Sequence, residues 1–155
     1  SYSSPQLSTV LNGKQILNVS AAGLSGHDPA DGKQLWFTKW ETGPDFINPT
    51  QPVSLVDWGL SDAAGEIFLS TGYVHGCTLV KVEESNGAYS VKTLWENQNL
   101  KSKFSNYVIR DRYVYGLDEG FLTCLDLKDG GKSMWKKNRK QQYKHGQMLL
   151  VDDLL

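Results

Sequence analysis

One phrase is written twice in this chain, and it restricts the fold more than any other feature. Gly120 to Trp135 reads Gly-Phe-Leu-Thr-Cys-Leu-Asp-Leu-Lys-Asp-Gly-Gly-Lys-Ser-Met-Trp. Gly23 to Trp36 reads Gly-Leu-Ser-Gly-His-Asp-Pro-Ala-Asp-Gly-Lys-Gln-Leu-Trp. Both run glycine, short apolar strand, Asp, a turn with Asp-Gly and Lys, then Trp. A phrase recurring within one chain is the mark of repeat architecture. Asp129-Gly130 predicts a tight hairpin turn in the later copy, because glycine accepts the positive φ such turns demand.

Around these phrases the chain divides into sets of four short strands. The first set is Pro5–Leu11, Gln15–Ser20, Leu24–Asp28 and Gln34–Trp40, with Asn12-Gly13 predicted as the first turn and Ala30-Asp31-Gly32 as the third. A stretch from Glu41 to Pro52, broken by Gly43, Pro44, Pro49 and Pro52, excludes a helix or central strand. The second set is Val53–Trp58, Glu66–Thr71, Cys77–Glu83 and Tyr89–Trp95, with Asn86-Gly87 before its last strand. The third is Tyr107–Arg110, Tyr113–Leu117, Phe121–Leu127 and Lys132–Lys136. After the polar run Lys137–Lys144, Gln147–Val151 reads as the first strand of a fourth set, with Asp152-Asp153 as its turn. Each apolar run is short and punctuated, so no segment has helical periodicity.

The closing tryptophans, Trp36, Trp95 and Trp135, are spaced 59 and 40 residues apart. A glycine precedes each third strand: Gly23, Gly76 and Gly120. Units of roughly 40–45 residues with four strands are what β-propellers are built from. The expected fold is therefore all-β: a β-propeller of four-stranded antiparallel blades at about 1–42, 48–97 and 104–138, with the start of a next blade at 145–155. In this reading the Trp of each outer strand packs on the neighbouring blade, and Asp28, Gly32, Asp126 and Gly131 shape turns.

The phrase Asp28-x-x-x-Gly32-Lys33-x-x-Trp36 resembles the repeat of the PQQ-like, quinoprotein alcohol dehydrogenase-like propellers. Asp126, Gly131, Lys132 and Trp135 match it with one residue inserted. Tyr2-Ser3-Ser4-Pro5 and Tyr115-Gly116-Leu117-Asp118-Glu119-Gly120 also look like blade phrases of that family, whereas the middle unit keeps Asn86-Gly87 and Leu94-Trp95 but not the Asp. The family includes the propeller lipoprotein of the outer-membrane assembly machine and polyvinyl-alcohol dehydrogenase-like proteins. The resemblance implies a ring of about six to eight blades. Three blades and the start of a fourth cannot close one, so the expectation is a part of a longer propeller whose remaining blades are its first partners. It also implies a periplasmic or secreted location, although Ser1 opens on a strand-like segment with no leader.

Function is less constrained. The favoured reading is a non-catalytic scaffold that binds protein or polymer partners through its loops. Trp40, Tyr73, His75 and Tyr107 are the candidate contact residues, in the stretches Trp40–Pro49, Tyr73–His75 and Lys101–Tyr107. The alternative, implied by the resemblance, is a quinone-dependent (polyvinyl-)alcohol dehydrogenase-like enzyme using PQQ and Ca²⁺, its site lying mostly outside this segment. No Cys-Cys pair supports that alternative, and no catalytic, cofactor-binding or metal residue is assigned. A third reading, a secreted hydrolase with catalytic groups elsewhere, finds no Gly-x-Ser-x-Gly elbow here. His27, His75 and His145 lack metal-ligand spacing, though propeller topology can bring loops such as those of His75 and His145 together.

A net charge of −1 argues against nucleic acid as a partner. The basic run Lys136-Lys137-Asn138-Arg139-Lys140 reads as a solvated connection. No apolar run approaches the roughly 18 residues of a membrane span. Cys77 and Cys124 read as small buried hydrophobes, with a disulfide between them open in an oxidising compartment.

Overall fold

A computed structural model describes residues 3–40, 49–73, 75–137, 140–152 and 154. Ser1, Tyr2, residues 41–48 of the Pro-rich stretch, Val74, Asn138, Arg139, Asp153 and Leu155 lie outside the described residues. The fold is all-β. Twelve strands form three four-stranded sheets, and in each the strands pair antiparallel in chain order. The first sheet contains β1 (Gln6–Val10), β2 (Gly13–Val19), β3 (Gly23–His27) and β4 (Gln34–Lys39). The second contains β5 (Val53–Ser54), β6 (Glu66–Thr71), β7 (Gly76–Ser85) and β8 (Ala88–Asn97). The third contains β9 (Val108–Arg110), β10 (Tyr113–Asp118), β11 (Phe121–Asp126) and β12 (Lys132–Lys136). The described residues contain no α-helix and close no ring.

The second sheet lies between the other two and is apolar on both faces. Strand side chains alternate between faces. Ile67 and Leu69 of β6, with Val80 and Val82 of β7, join Val10, Leu17, Leu24 and Trp36 in one core. Phe68 of β6, with Cys77 and Leu79 of β7, joins Tyr107, Ile109, Val114 and Leu125 in the other. This is why Ile67-Phe68-Leu69 is a continuous apolar run: a strand buried on both sides has no polar face.

The three sheets share one register. Trp36 pairs with Gly26, Trp95 with Leu79 and Trp135 with Cys124. Each pairing is followed by a bulge in which Leu35, Leu94 or Met134, the residue just before the Trp, has no partner of its own. The repeated phrase therefore encodes a repeated irregularity as well as a repeated strand order.

Four local expectations are corrected. Val53–Trp58 is not one strand. After Ser54 the chain turns into a single 3-10 turn, Leu55–Trp58, closed by Gly59 at φ 88°. Asp57 on that turn accepts the edge N–H of Thr9 at 3.0 Å, a bond a straight strand would not place there. The first hairpin turn is Leu11-Asn12, one residue earlier than expected: Val10 pairs with Gly13, and Leu11 takes the positive φ of 55° while packing against the core. The turn around Asp129-Gly130 is a loop, Leu127–Gly131, because Asp126 pairs with Lys132. Finally, Gln147–Val151 forms no strand. Its backbone is taken up by side chains instead: the Asn106 amide donates to the Met148 carbonyl at 2.7 Å and accepts the Met148 N–H at 2.6 Å. Ser105 Oγ accepts the Gly146 N–H at 3.2 Å.

Candidate functional site: a groove along the first strands

The residues of the repeated phrase are engaged in holding the sheets. Asp28 directly follows the third strand of its sheet and Asp126 ends that of its own, and both cap the loops that come next. Oδ1 of Asp28 accepts the N–H of Ala30 at 2.8 Å, and Oδ1 of Asp126 accepts that of Lys128 at 3.0 Å. Their own carbonyls accept the N–H groups of Gly32 and Gly131, at 2.9 and 3.0 Å. Both glycines need their positive φ, 75° and 69°. Trp36 donates its indole N–H to the Gln15 side chain at 2.7 Å within its own sheet. Trp95 donates across to the third sheet, and the Trp135 ring, 40% exposed, lies tilted 6.0 Å from Tyr115.

Two of the four residues expected on partner loops are buried instead. Tyr107 is 3% exposed, edge-on to Phe68 at 4.9 Å, and its hydroxyl donates to the Gln51 carbonyl. Burial pushes its phenol far above the ordinary tyrosine range. It fixes the start of the third sheet against the second. Trp40 is also buried, its ring edge-on to His75 at 4.5 Å. Tyr73 and His75 are half-buried. The Lys103 ammonium stands 5.1 Å from the centre of the Tyr73 ring. His75 Nε2 lies 4.0 Å from a Glu96 carboxylate oxygen, but burial dominates and holds the imidazole below its ordinary pKa.

The groove lies elsewhere, on the side where the first strands of the sheets line up. A cavity of about 370 Å³ runs between β1, the segment 49–54 leading through β5, the 3-10 turn, and residues 104–107 before β9. Three structural devices shape it. Asp57 and Ser54 bind the edge of β1: Asp57 accepts the Thr9 N–H, and Ser54 Oγ donates to the Thr9 carbonyl. Gly59 ends the 3-10 turn and leaves Trp58 on the wall, 37% exposed. Phe104, 49% exposed, stands on the opposite segment with φ at 52°, a backbone region that bulky side chains rarely enter. The Gln147 amide donates to the Phe104 carbonyl at 3.1 Å. Among the described residues the lining carries three aromatic rings, those of Trp58, Phe104 and Tyr107, with amides, hydroxyls and the Asp57 carboxylate, and no lysine or arginine.

The buried carboxylates are spent on cations of the chain. Asp118 accepts the Lys101 backbone N–H at 2.9 Å and pairs with the ammonium groups of Lys101, at 3.1 Å, and Lys136. Asp126 pairs with Arg112. Burial pushes the Asp126 carboxyl up, but the guanidinium and the N–H groups of Lys128 and Asp129 outweigh it and hold it below the ordinary range. Ca²⁺ asks for six to eight oxygen ligands, and among the described residues no three His, Cys, Asp or Glu side chains converge. Carboxylates already matched to Lys and Arg do not fit the Ca²⁺-dependent quinone site that the resemblance implies. Cys77 and Cys124 are separate buried thiols, and burial pushes Cys77 up to about 12.

Neither protein-family models nor curated proteins match the chain. Of the groove residues, Lys101–Tyr107 is legible in the sequence as a candidate loop, but nothing there marks Phe104 apart from its neighbours. Trp58 was hidden in an expected strand. The signal that exposes it is Asp57-Trp58-Gly59, an Asx, aromatic and glycine sequence that suits a turn better than a strand.

Proposed function

We propose that the chain is a segment of a β-propeller of the PQQ-like repeat type, acting as a non-catalytic scaffold that binds a protein or polymer in the bacterial periplasm or outside the cell. The observation that carries the propeller is the common register of Trp36, Trp95 and Trp135 beside the same bulge in three consecutive four-stranded sheets. Sheets that meet face to face through equivalent tryptophans extend by adding more of the same unit. The half-exposed Trp135 offers the next such contact, to a remaining blade. The scaffold reading is supported by the use of the motif residues as caps and seams, and by a groove whose walls bear rings and amides.

The test is reconstitution of the full protein with PQQ and Ca²⁺, alongside affinity capture from the native envelope fraction with Trp58→Ala as control. The expected result is no dye-linked alcohol oxidation, and a partner retained by the native chain and lost by the variant. Quinone absorbance with turnover would overturn the reading.

A further inference from the structure

We propose that the groove between β1, the 3-10 turn and residues 104–107 binds a neutral polysaccharide. The proposal rests on the scaffold reading and names the partner class. Phe104 and Trp58 present half-exposed rings to the same cavity of about 370 Å³, and Leu7 adds an aliphatic surface 63% exposed. Sugar rings carry apolar C–H faces edged with hydroxyls. Aromatic rings take the faces, and amides, which both donate and accept, take the hydroxyls. The exposed Gln51 side chain lines the wall in that role, and the Gln6 side chain, whose amide nitrogen donates to the Pro5 carbonyl at 3.1 Å, adds its amide oxygen as an acceptor. With no lysine or arginine among its described lining residues, the groove lacks the cations that a phosphate, sulfate or uronate would pair with. The Asp57 carboxylate of the lining is occupied by the Thr9 N–H, with Lys14 at 3.8 Å.

A peptide fits this groove less well. Peptides recognised along strands add to a free backbone edge. Here that edge is taken at Thr9. The Thr9 N–H and carbonyl are bound by Asp57 and Ser54, the Gln51 carbonyl by the Tyr107 hydroxyl. Pro49 and Pro52 have no N–H to give. Around these bonds the lining offers side-chain surface, which suits a ligand without a backbone ladder. Phe104 reinforces the point: a phenylalanine held at φ 52° is an outlier of the kind that gathers at ligand sites.

Calorimetric titration of the full chain with cellohexaose and maltohexaose tests this. Saturable binding of at least one is expected, weakened at least about tenfold by Trp58→Ala and by Phe104→Asn. Asparagine tolerates the left-handed backbone, so Phe104→Asn removes the ring and keeps the loop. Phe37→Ala, on an exposed ring outside the groove, should leave binding unchanged. No heat from either hexasaccharide up to about 10 mM, or binding indifferent to both groove variants, overturns the proposal. Reduced, carboxymethylated α-lactalbumin serves as an unfolded-chain probe. Its binding, lost in Trp58→Ala while the sugars fail, would overturn the polysaccharide and leave the scaffold reading standing with a protein partner.

Discussion

The indole N–H of Trp95 donates to the carbonyl oxygen of Leu127 across the seam between the second and third sheets, at 2.9 Å. The edge of that ring lies where a Cβ on Gly131 would come within 2.5 Å. The seam is thus held in part by this hydrogen bond and by the missing side chain of Gly131, beside the bonds that the Asn97 and Asn99 amides donate to the Gly131 carbonyl. Trp95→Phe should cost about 1–3 kcal/mol by leaving the buried Leu127 carbonyl unsatisfied. Trp135→Phe, at the same register but without a sheet beyond it among the described residues, should stay within about 0.5 kcal/mol. Urea midpoints of the two variants make the comparison.

Gly26 is a second close approach, of a different kind. Its φ is not positive, yet an added Cβ would meet the Trp36 ring at 2.3 Å. Gly26→Ala should therefore destabilise by steric conflict alone, by about 1–3 kcal/mol. Gly13→Ala is the control, since a Cβ there meets nothing within 4 Å. Thermal unfolding of both, side by side, separates overpacking from the general effect of replacing a glycine.

Acid should weaken the fold over two pH windows. His75 has a folded pKa below its ordinary 6.5, so the unfolded chain takes up its proton first. Its contribution is complete above pH 6.5 and is lost as pH falls from there toward the lowered value. Asp126 has a folded pKa below its ordinary 3.8, so its contribution is complete above that value and is lost as pH falls through the depressed one. Denaturant midpoints against pH should lose the upper step in His75→Gln and the lower step in Asp126→Asn. An unchanged profile in either variant would contradict the assignment.

Both thiols should resist reagents in the folded protein. Cys77, pushed up to about 12, and Cys124, also raised by burial, hold little thiolate at pH 8 and sit inside the cores. An aromatic disulfide reagent should label neither cysteine in the native chain and both in urea. Prompt native labelling of Cys77 would show that the seam around Leu79 and Tyr107 opens locally.

Much of the fold is legible where the decisive interaction is local. Asn86-Gly87 and Glu119-Gly120 take positive φ at both positions, as hairpin turns of their type require. Glu66–Thr71 and Lys132–Lys136 are strands with the expected ends. The misreadings fall where a distant residue decides. Leu55–Trp58 leaves the strand while Asp57 binds Thr9, 48 positions away. Gln147–Val151 is drawn off by Asn106, 42 positions away from Met148. Tyr107 looks like a loop aromatic until Phe68 and Gln51 are packed around it. Periodicity carries no trace of such partners, so the groove they frame could be sought in the right loop without its rings being named.

Strand β6 leaves one last implication. Ile67 and Leu69 belong to one core, Phe68 to the other, and the two cores share no residue. Whatever the first sheet feels of the third it feels largely through the thickness of the second sheet, where β7 likewise divides its side chains between the two cores. A slip of β6 by one position would hand each core the other's side chains. The molecule thus behaves like a sandwich with one slice of filling: tug on that slice, and both halves lose their grip together.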